Sequence, residues 1–315
     1  MLDTFWEKLG EGLAGEWSAR LLAPAFAFWG GGLMVWAMNT AGGWDRIEQF
    51  LKDTSLTSGG AMLIAGVFLL SMSAGAAGWL SHSFVRYAEG YWPRILYWLG
   101  ERLVRRVNDD YRKDREELKQ LNQKYKAGSL DRRETNRFAQ LDADLENIPV
   151  DALLRLPTRV GNLLRAAEEY PNRCYGLEIS TTWPRLWLIL PESTQEELTE
   201  ARQALNWSAQ LMIWGFAFIV WAIFGWWAAL IGLVIVLAAY WRLLSAANIF
   251  GQLLRAAYDL HRFALYEGLH WPLPIDAQTE KAFGEALTLY LKRNLPPDGL
   301  PPDNQKLIFK HPPEK

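Results

Sequence analysis

Cysteine is almost absent from this chain: Cys174 is the single one in 315 residues. One thiol excludes an intrachain disulfide and a Cys-rich metal site. Histidine is scarce as well, with His82, His261, His270 and His311 scattered too widely to suggest an imidazole metal centre. Neither sign of charge dominates, since 33 Lys/Arg face 35 Asp/Glu for a net charge of -2. No global attraction to nucleic acid follows from that balance, and no nucleic-acid partner is expected. Phosphate-loop, dinucleotide-binding, HExxH, CxxC and GxSxG patterns are all missing. No enzymatic activity, cofactor or metal is therefore expected.

The first 20 residues carry no basic stretch leading into a short apolar core, so no cleavable leader is expected. Residue 2 is leucine and no cysteine lies near the C-terminus, which leaves no lipidation motif.

Charge is missing altogether from Gln203 to Trp241, 39 residues in a row. A single helix of that length would reach about 58 Å, against a bilayer core of about 30 Å. One crossing is too long, whereas two crossings joined at Gly225 fit. Trp226 and Trp227 beside that turn suit the membrane interface. This run sets the expected fold class: an all-α integral membrane protein with four transmembrane helices in two hairpins and a helical cytoplasmic stalk or domain.

The expected organisation follows the blocks of polarity. Residues 1–20 form an amphipathic segment, and 21–82 the first transmembrane hairpin. That hairpin crosses at about Leu21 to Met38 and Gly59 to Leu80, with an interfacial helix in the connection. Pro24 is expected in the first turn of the first crossing, where its missing N–H costs little. Gly30, Gly31 and Gly32 mark a close helix contact or a gate. In the second crossing, Ser71 with Gly75, and Ala74 with Gly78, make small-xxx-small pairs that favour close packing against another helix.

Residues 83–150 read as a stalk that extends from the membrane as a helix and returns as a second one. Leu118, Leu121 and Tyr125 face Phe138, Leu141 and Leu145 across a break at Gly128, and Asp131 with Glu134 resembles a capping box. A mixed segment covers 151–207, with a capping box expected at Ser193 and Glu196. The second hairpin covers 208–247 and C-terminal helices 248–294. The last of these helices is expected from Asp276 to Lys292, after Pro272 and Pro274. A Pro-rich tail, extended or disordered, covers 295–315. The basic residues of 83–115 (Arg86, Arg94, Arg102, Arg105, Arg106, Arg112, Lys113 and Arg115) mark the side holding the polar mass and both termini as cytoplasmic.

The candidate site lies between Leu154 and Pro191. Arg159, Asn162, Arg165, Arg173 and Arg185, with Trp183 and Trp187, could contact an anion, a lipid head group or a protein partner. The competing reading is that the Arg and Glu of this stretch pair internally and pin it to the long helices. The nine-residue run Trp183 to Pro191 is apolar but too short to span. It fits a core segment, a membrane-surface patch or an interface.

The stretch Pro157 to Pro171, followed by Tyr175-Gly176 and Trp183-Pro184-Arg185, resembles bacterial integral membrane proteins over roughly residues 155 to 275. The resemblance implies a bacterial origin and transfers no activity; with the crossings and the basic residues above, the expected location is the bacterial cytoplasmic (inner) membrane. The functional expectation is a homo-oligomeric membrane assembly, channel- or pore-like. The alternative is a non-conducting scaffold or receptor that tethers a cytoplasmic partner; a transporter is a weaker third. Expected partners are membrane lipids, further copies of the chain and a cytoplasmic protein.

Overall fold

A computed structural model describes residues 16–54 and 56–293, with side chains for 22–54 and 59–293. The expected amphipathic segment before residue 16 and the Pro-rich tail lie outside the described residues. All regular structure among the described residues is helical. The helices are α1 Glu16–Asn39, α2 Gly43–Asp53, α3 Leu56–Glu89, α4 Tyr97–Lys126 and α5 Arg132–Glu146. They continue as α6 Arg159–Tyr175, α7 Ile179–Ile189, α8 Glu192–Phe218, α9 Trp227–Gly268 and α10 Glu280–Arg293.

Three helices, α3, α8 with its 3-10 extension, and α9, are long and apolar enough to cross a membrane. Their outward faces support a membrane setting. Leu63 and Trp79 on α3 are 71% and 78% exposed, and Phe68, Met72, Leu233 and Val234 are exposed as well. Such continuous apolar surface is unusual in water and ordinary in lipid. The fourth expected crossing falls in α1, which is not among these three.

The helices overrun the apolar stretches that reveal them, because apolarity marks membrane thickness and not helix length. Thus α1 starts at Glu16, so Pro24 lies inside it and not in its first turn. At 42 residues, α9 is about 63 Å long.

The described residues divide into two compact units, 16–87 with 204–243, and 88–203 with 244–293. In the first unit α1, α3, α8 and α9 pack through small residues and aromatics. Ala25, Ala74, Ala77 and Trp214 form one cluster, and Val35, Phe218 and Ala228 another. A 3-10 turn, Ile219–Ile223, ends α8 just before Gly225, where the sequence places the turn. Behind it Gly215 and Gly232 let α8 and α9 touch backbone to side chain, since a Cβ on either would crowd the other helix. Gly225 also lies against the Asn39 side chain, so the α1–α2 corner and the α8–α9 turn share one end of this unit. At that corner Gly42 adopts φ 67°, and Gly43 packs on the Ala37 backbone.

In the second unit α4 and α5 pair along Tyr111, Leu121 and Leu141. Tyr125 stacks on Phe138 at 5.7 Å, and Arg137 grips the Glu117 carboxylate through Nε at 2.9 Å and Nη2 at 2.8 Å. The capping box is present: the Asp131 carboxylate accepts from the Glu134 N–H at 2.7 Å, and the Glu134 carboxylate from the Asp131 N–H at 3.2 Å. Gly128, at φ 66°, terminates α4.

Three expectations need correction. First, the stalk read from residue 83 does not begin its helix there: α3 runs on to Glu89 and α4 starts at Tyr97. Gly90 takes φ 104°, which side-chain-bearing residues rarely adopt, and Pro93 and a 3-10 turn, Arg94–Leu96, intervene. Second, α8 begins at Glu192, so Ser193 sits inside the first turn and not at the cap. The end of α7 is held instead by Gln195, whose Nε2 donates to the Trp187 and Leu190 carbonyls at 2.8 and 3.0 Å. Third, α10 starts at Glu280, four residues after Asp276.

The core of this unit gathers α6, α7, α9 and α10 around Leu177, Leu186, Leu198, Tyr258, Tyr266, Phe283 and Leu287.

Candidate functional site

The segment that stands out in the sequence folds as α6 and α7. Thr158 caps α6, accepting from the Gly161 N–H at 3.0 Å. Pro171 sits inside α6 and Pro184 inside α7. Helix α6 ends at Gly176, φ 70°, whose absent Cβ admits the Lys281 carbonyl of α10. Gly284 of α10 likewise admits the Tyr175 carbonyl.

The seven predicted contact residues do not converge. Asn162 is buried and wholly engaged: Nδ2 donates to the Leu156 and Thr158 carbonyls at 2.7 and 2.9 Å, and Oδ1 accepts from the Leu156 N–H at 2.8 Å. Arg159 is exposed at the start of α6. Arg165 pairs with Glu168 of its own helix at 3.1 Å. Arg173 lies over Tyr170, 5.8 Å from the ring centre. Arg159 and Arg173 are 14 residues apart on one helix, about 21 Å along its axis, so they cannot grip one small anion together. Arg185 of α7 donates to the Thr181 carbonyl at 2.6 Å.

Trp183 and Trp187 do belong together. Their rings lie 5.7 Å apart, and Trp183 packs on Tyr258 at 5.9 Å. They wall a cavity of 590 Å³ completed by Pro184, Leu198, Thr199, Arg202 and Phe250.

The residues that pin this unit are ones that periodicity does not single out. Arg155, buried, lies 3.7 Å above the Tyr111 ring and donates to the Pro149 and Val150 carbonyls and to Asn108 Oδ1, at 2.9, 3.0 and 2.8 Å. Burial pushes its pKa down, with Tyr111 opposing. Arg255 of α9 donates to the Glu146 carboxylate at 2.7 Å and to the Glu146 carbonyl at 2.9 Å. Arg262 donates to Glu280 at 2.6 Å and to the Asp259 carbonyl, and lies over the Tyr175 ring at 4.5 Å. Tyr175 in turn donates to Asp259 Oδ1 at 2.5 Å. Burial, with that carboxylate beside it, pushes the Tyr175 phenol far above its ordinary range. These groups pair with one another, with only Arg255 Nε buried without an acceptor among the described residues, so the network reads as a clamp and not as a reactive centre. No three His, Cys, Asp or Glu side chains among the described residues converge as a metal site requires.

In the first unit the predicted glycines separate into two kinds. A Cβ on Gly32 would overlap the Trp221 indole, and one on Gly31 would press on Phe218, whereas Gly30 meets only Phe26 of its own helix among the described residues. Gly75 and Gly78 meet none of the described residues within 4 Å. Phe28 lies between Trp214 and Trp221, at 5.3 and 5.7 Å. Gln210 Nε2 and the Trp214 and Trp221 indole N–H groups are buried without an acceptor among the described residues.

No family model, curated protein or solved structure matches the chain.

Proposed function

We propose that the chain is a multi-pass protein of the bacterial cytoplasmic membrane. In this reading α1, α3, α8 and α9 cross as two hairpins, both termini are cytoplasmic, and several copies assemble into a channel- or pore-like oligomer. The observation that carries it is the outer side of α3. Gly75 and Gly78 leave room there that none of the described residues fills, amid exposed large apolar residues. A neighbouring copy can approach such a face closely. The shared end of the α1–α2 corner and the Gly225 turn agrees with two hairpins opening on the same side. The donors of Gln210, Trp214 and Trp221, which find no partner among the described residues, agree with an interior that takes up water or a solute, because such donors in lipid cost several kcal/mol each.

A second reading is a non-conducting scaffold. Leu188, 81% exposed beside the Trp183–Trp187 cavity, favours it, because a tethered protein would cover that surface.

Topology and assembly are tested separately. In a Cys174→Ser background, Asp45→Cys and Ser129→Cys should react with an impermeant thiol reagent from opposite sides of the membrane. Labelling from one side would sink the two-hairpin arrangement. Electron cryo-microscopy in lipid nanodiscs should then reveal a closed ring with a continuous central path. A monomer or dimer lacking a path would transfer support to the scaffold.

A further inference from the structure

We propose that the cavity between α4 and the 3-10 turn Ala152–Leu154 binds an organic diphosphate of nucleotide size. The site is independent of the membrane reading, because every residue that builds it lies in the second unit. Arg155 is its centre. That side chain, in a residue only 7% exposed, brings a positive charge to the wall of a cavity of 770 Å³. Its partners are all neutral: the Pro149 and Val150 carbonyls, Asn108 Oδ1 and the face of the Tyr111 ring. Among the described residues no carboxylate forms an ion pair with it, and Glu169 acts on its charge only at longer range. A buried charge ordinarily has a counter-charge, because uncompensated burial costs several kcal/mol. None of the described residues supplies one here, whereas the cavity has room for one from solution.

Three more cations line the same cavity. Arg112, Arg115 and Lys119 follow one another at i, i+3 and i+7 along one side of α4. Arg115 and Lys119 have no hydrogen bond or ion pair among the described residues, and Arg112 reaches only the exposed Asp109 carboxylate, at 4.0 Å. Glu116 is the one carboxylate on the lining. Burial, and then the nearby Arg112 charge, push the Arg155 pKa down, and an anion among these groups would oppose that push.

Size and shape select the occupant. Guanidinium groups match phosphate oxygens two at a time. From Arg112 to Lys119 the row measures about 10.5 Å along the helix, which suits two phosphate groups better than one. The volume far exceeds that of a bare anion and lies within the range of small-molecule sites. Leu118 and Ala152 offer apolar wall to an organic body, and the Asn122 amide can donate to it or accept from it. The walls are fixed in advance. Arg155 ties the turn to α4, the Val150 N–H donates to the Glu169 carboxylate at 3.1 Å, and the Leu153 N–H to Asp151 Oδ1 at 2.9 Å.

Isothermal titration calorimetry of the full chain in mild detergent tests this, with ADP, pyrophosphate, inorganic phosphate and adenosine as probes. ADP should bind most tightly, then pyrophosphate, with inorganic phosphate at least tenfold weaker than ADP and adenosine silent. Arg112→Gln and Lys119→Gln should each weaken ADP about tenfold, the worth of one charge-assisted contact. Lys113→Gln removes the same charge from α4 outside the lining and should leave ADP binding unchanged. All three positions are exposed, so the variants should fold, and an unchanged circular dichroism spectrum verifies that. No heat with ADP or pyrophosphate overturns the site, as does equal affinity for ADP and inorganic phosphate, or an equal loss in Lys113→Gln. Tighter binding of a short poly-aspartate peptide than of ADP would overturn it in favour of an acidic protein, and tighter binding of short-chain phosphatidylglycerol in favour of a lipid phosphate.

Discussion

Replacing Asn162 with alanine removes three hydrogen bonds from a buried site and leaves the Leu156 and Thr158 backbone groups without that partner. The expected cost is about 2 kcal/mol, read as a lower thermal midpoint in detergent. Tyr266→Phe should do the opposite. Its hydroxyl is buried with no hydrogen-bond partner among the described residues, so deletion is expected to be neutral or to add about 1 kcal/mol. A large loss of stability in Tyr266→Phe would show that the hydroxyl is paired after all. The sequence makes Asn162 visible but not its role: between two arginines it resembles a ligand contact, whereas the fold turns it inward. Arg155 stays hidden for another reason. Its partner Asn108 is 47 residues away, and spacing patterns on one helix reach only a turn or two.

At the scale of helices, Arg255 joins α9 to the end of α5 across 109 residues of sequence. The two charges are unequal in environment, with the Arg255 side chain 11% exposed and that of Glu146 59%. Removing Glu146 strands a buried cation, while removing Arg255 leaves a carboxylate that water can solvate. Glu146→Ala is therefore expected to cost about 2 kcal/mol and Arg255→Met under about 1. Chemical denaturation of the two variants measures the difference, and equal costs would contradict the argument. Helices themselves are the most legible part of this chain. The uncharged run predicts two long helices and a turn at Gly225, and the 3-10 turn beside it fits. Helix ends are less legible. Pro272 and Pro274 do follow the end of α9 at Gly268, yet the next helix starts late. The Asp276 carboxylate accepts from the Gln278 and Thr279 N–H groups, which makes a local turn where α10 was expected to begin. Such turns compete with helix within a few residues, and periodicity alone does not separate them.

For the whole molecule, pH bears on stability from two directions. Burial is the main force raising the Tyr175, Tyr258 and Tyr266 phenols above the ordinary value of 10.0. The Asp259 carboxylate adds to it at Tyr175, whereas the Thr182 hydroxyl opposes it at Tyr258. A raised pKa means that the folded chain holds its proton more tightly, so this contribution is full below about pH 10 and is lost as pH climbs beyond it. Glu178 runs the other way. Ser180 and then Lys292 hold its carboxyl below the ordinary 4.5, so that contribution is present above about pH 4.5 and fades as pH falls. Thermal midpoints measured across pH should form a plateau between these limits. Tyr258→Phe should soften the alkaline edge; an alkaline edge unchanged in Tyr175→Phe and Tyr258→Phe alike would assign it to other groups.

The joint before α4 bears on inheritance. Glu89 lays its carbonyl where a Gly161 side chain would be, and Gly90 turns the chain beside Pro157. The seat of this joint against α6 is thus written in two codons for side chains that do not exist. Neighbouring exposed positions such as Arg159 can drift freely, while a single base change at Gly90 or Gly161 that adds one methyl group displaces the root of a thirty-residue helix.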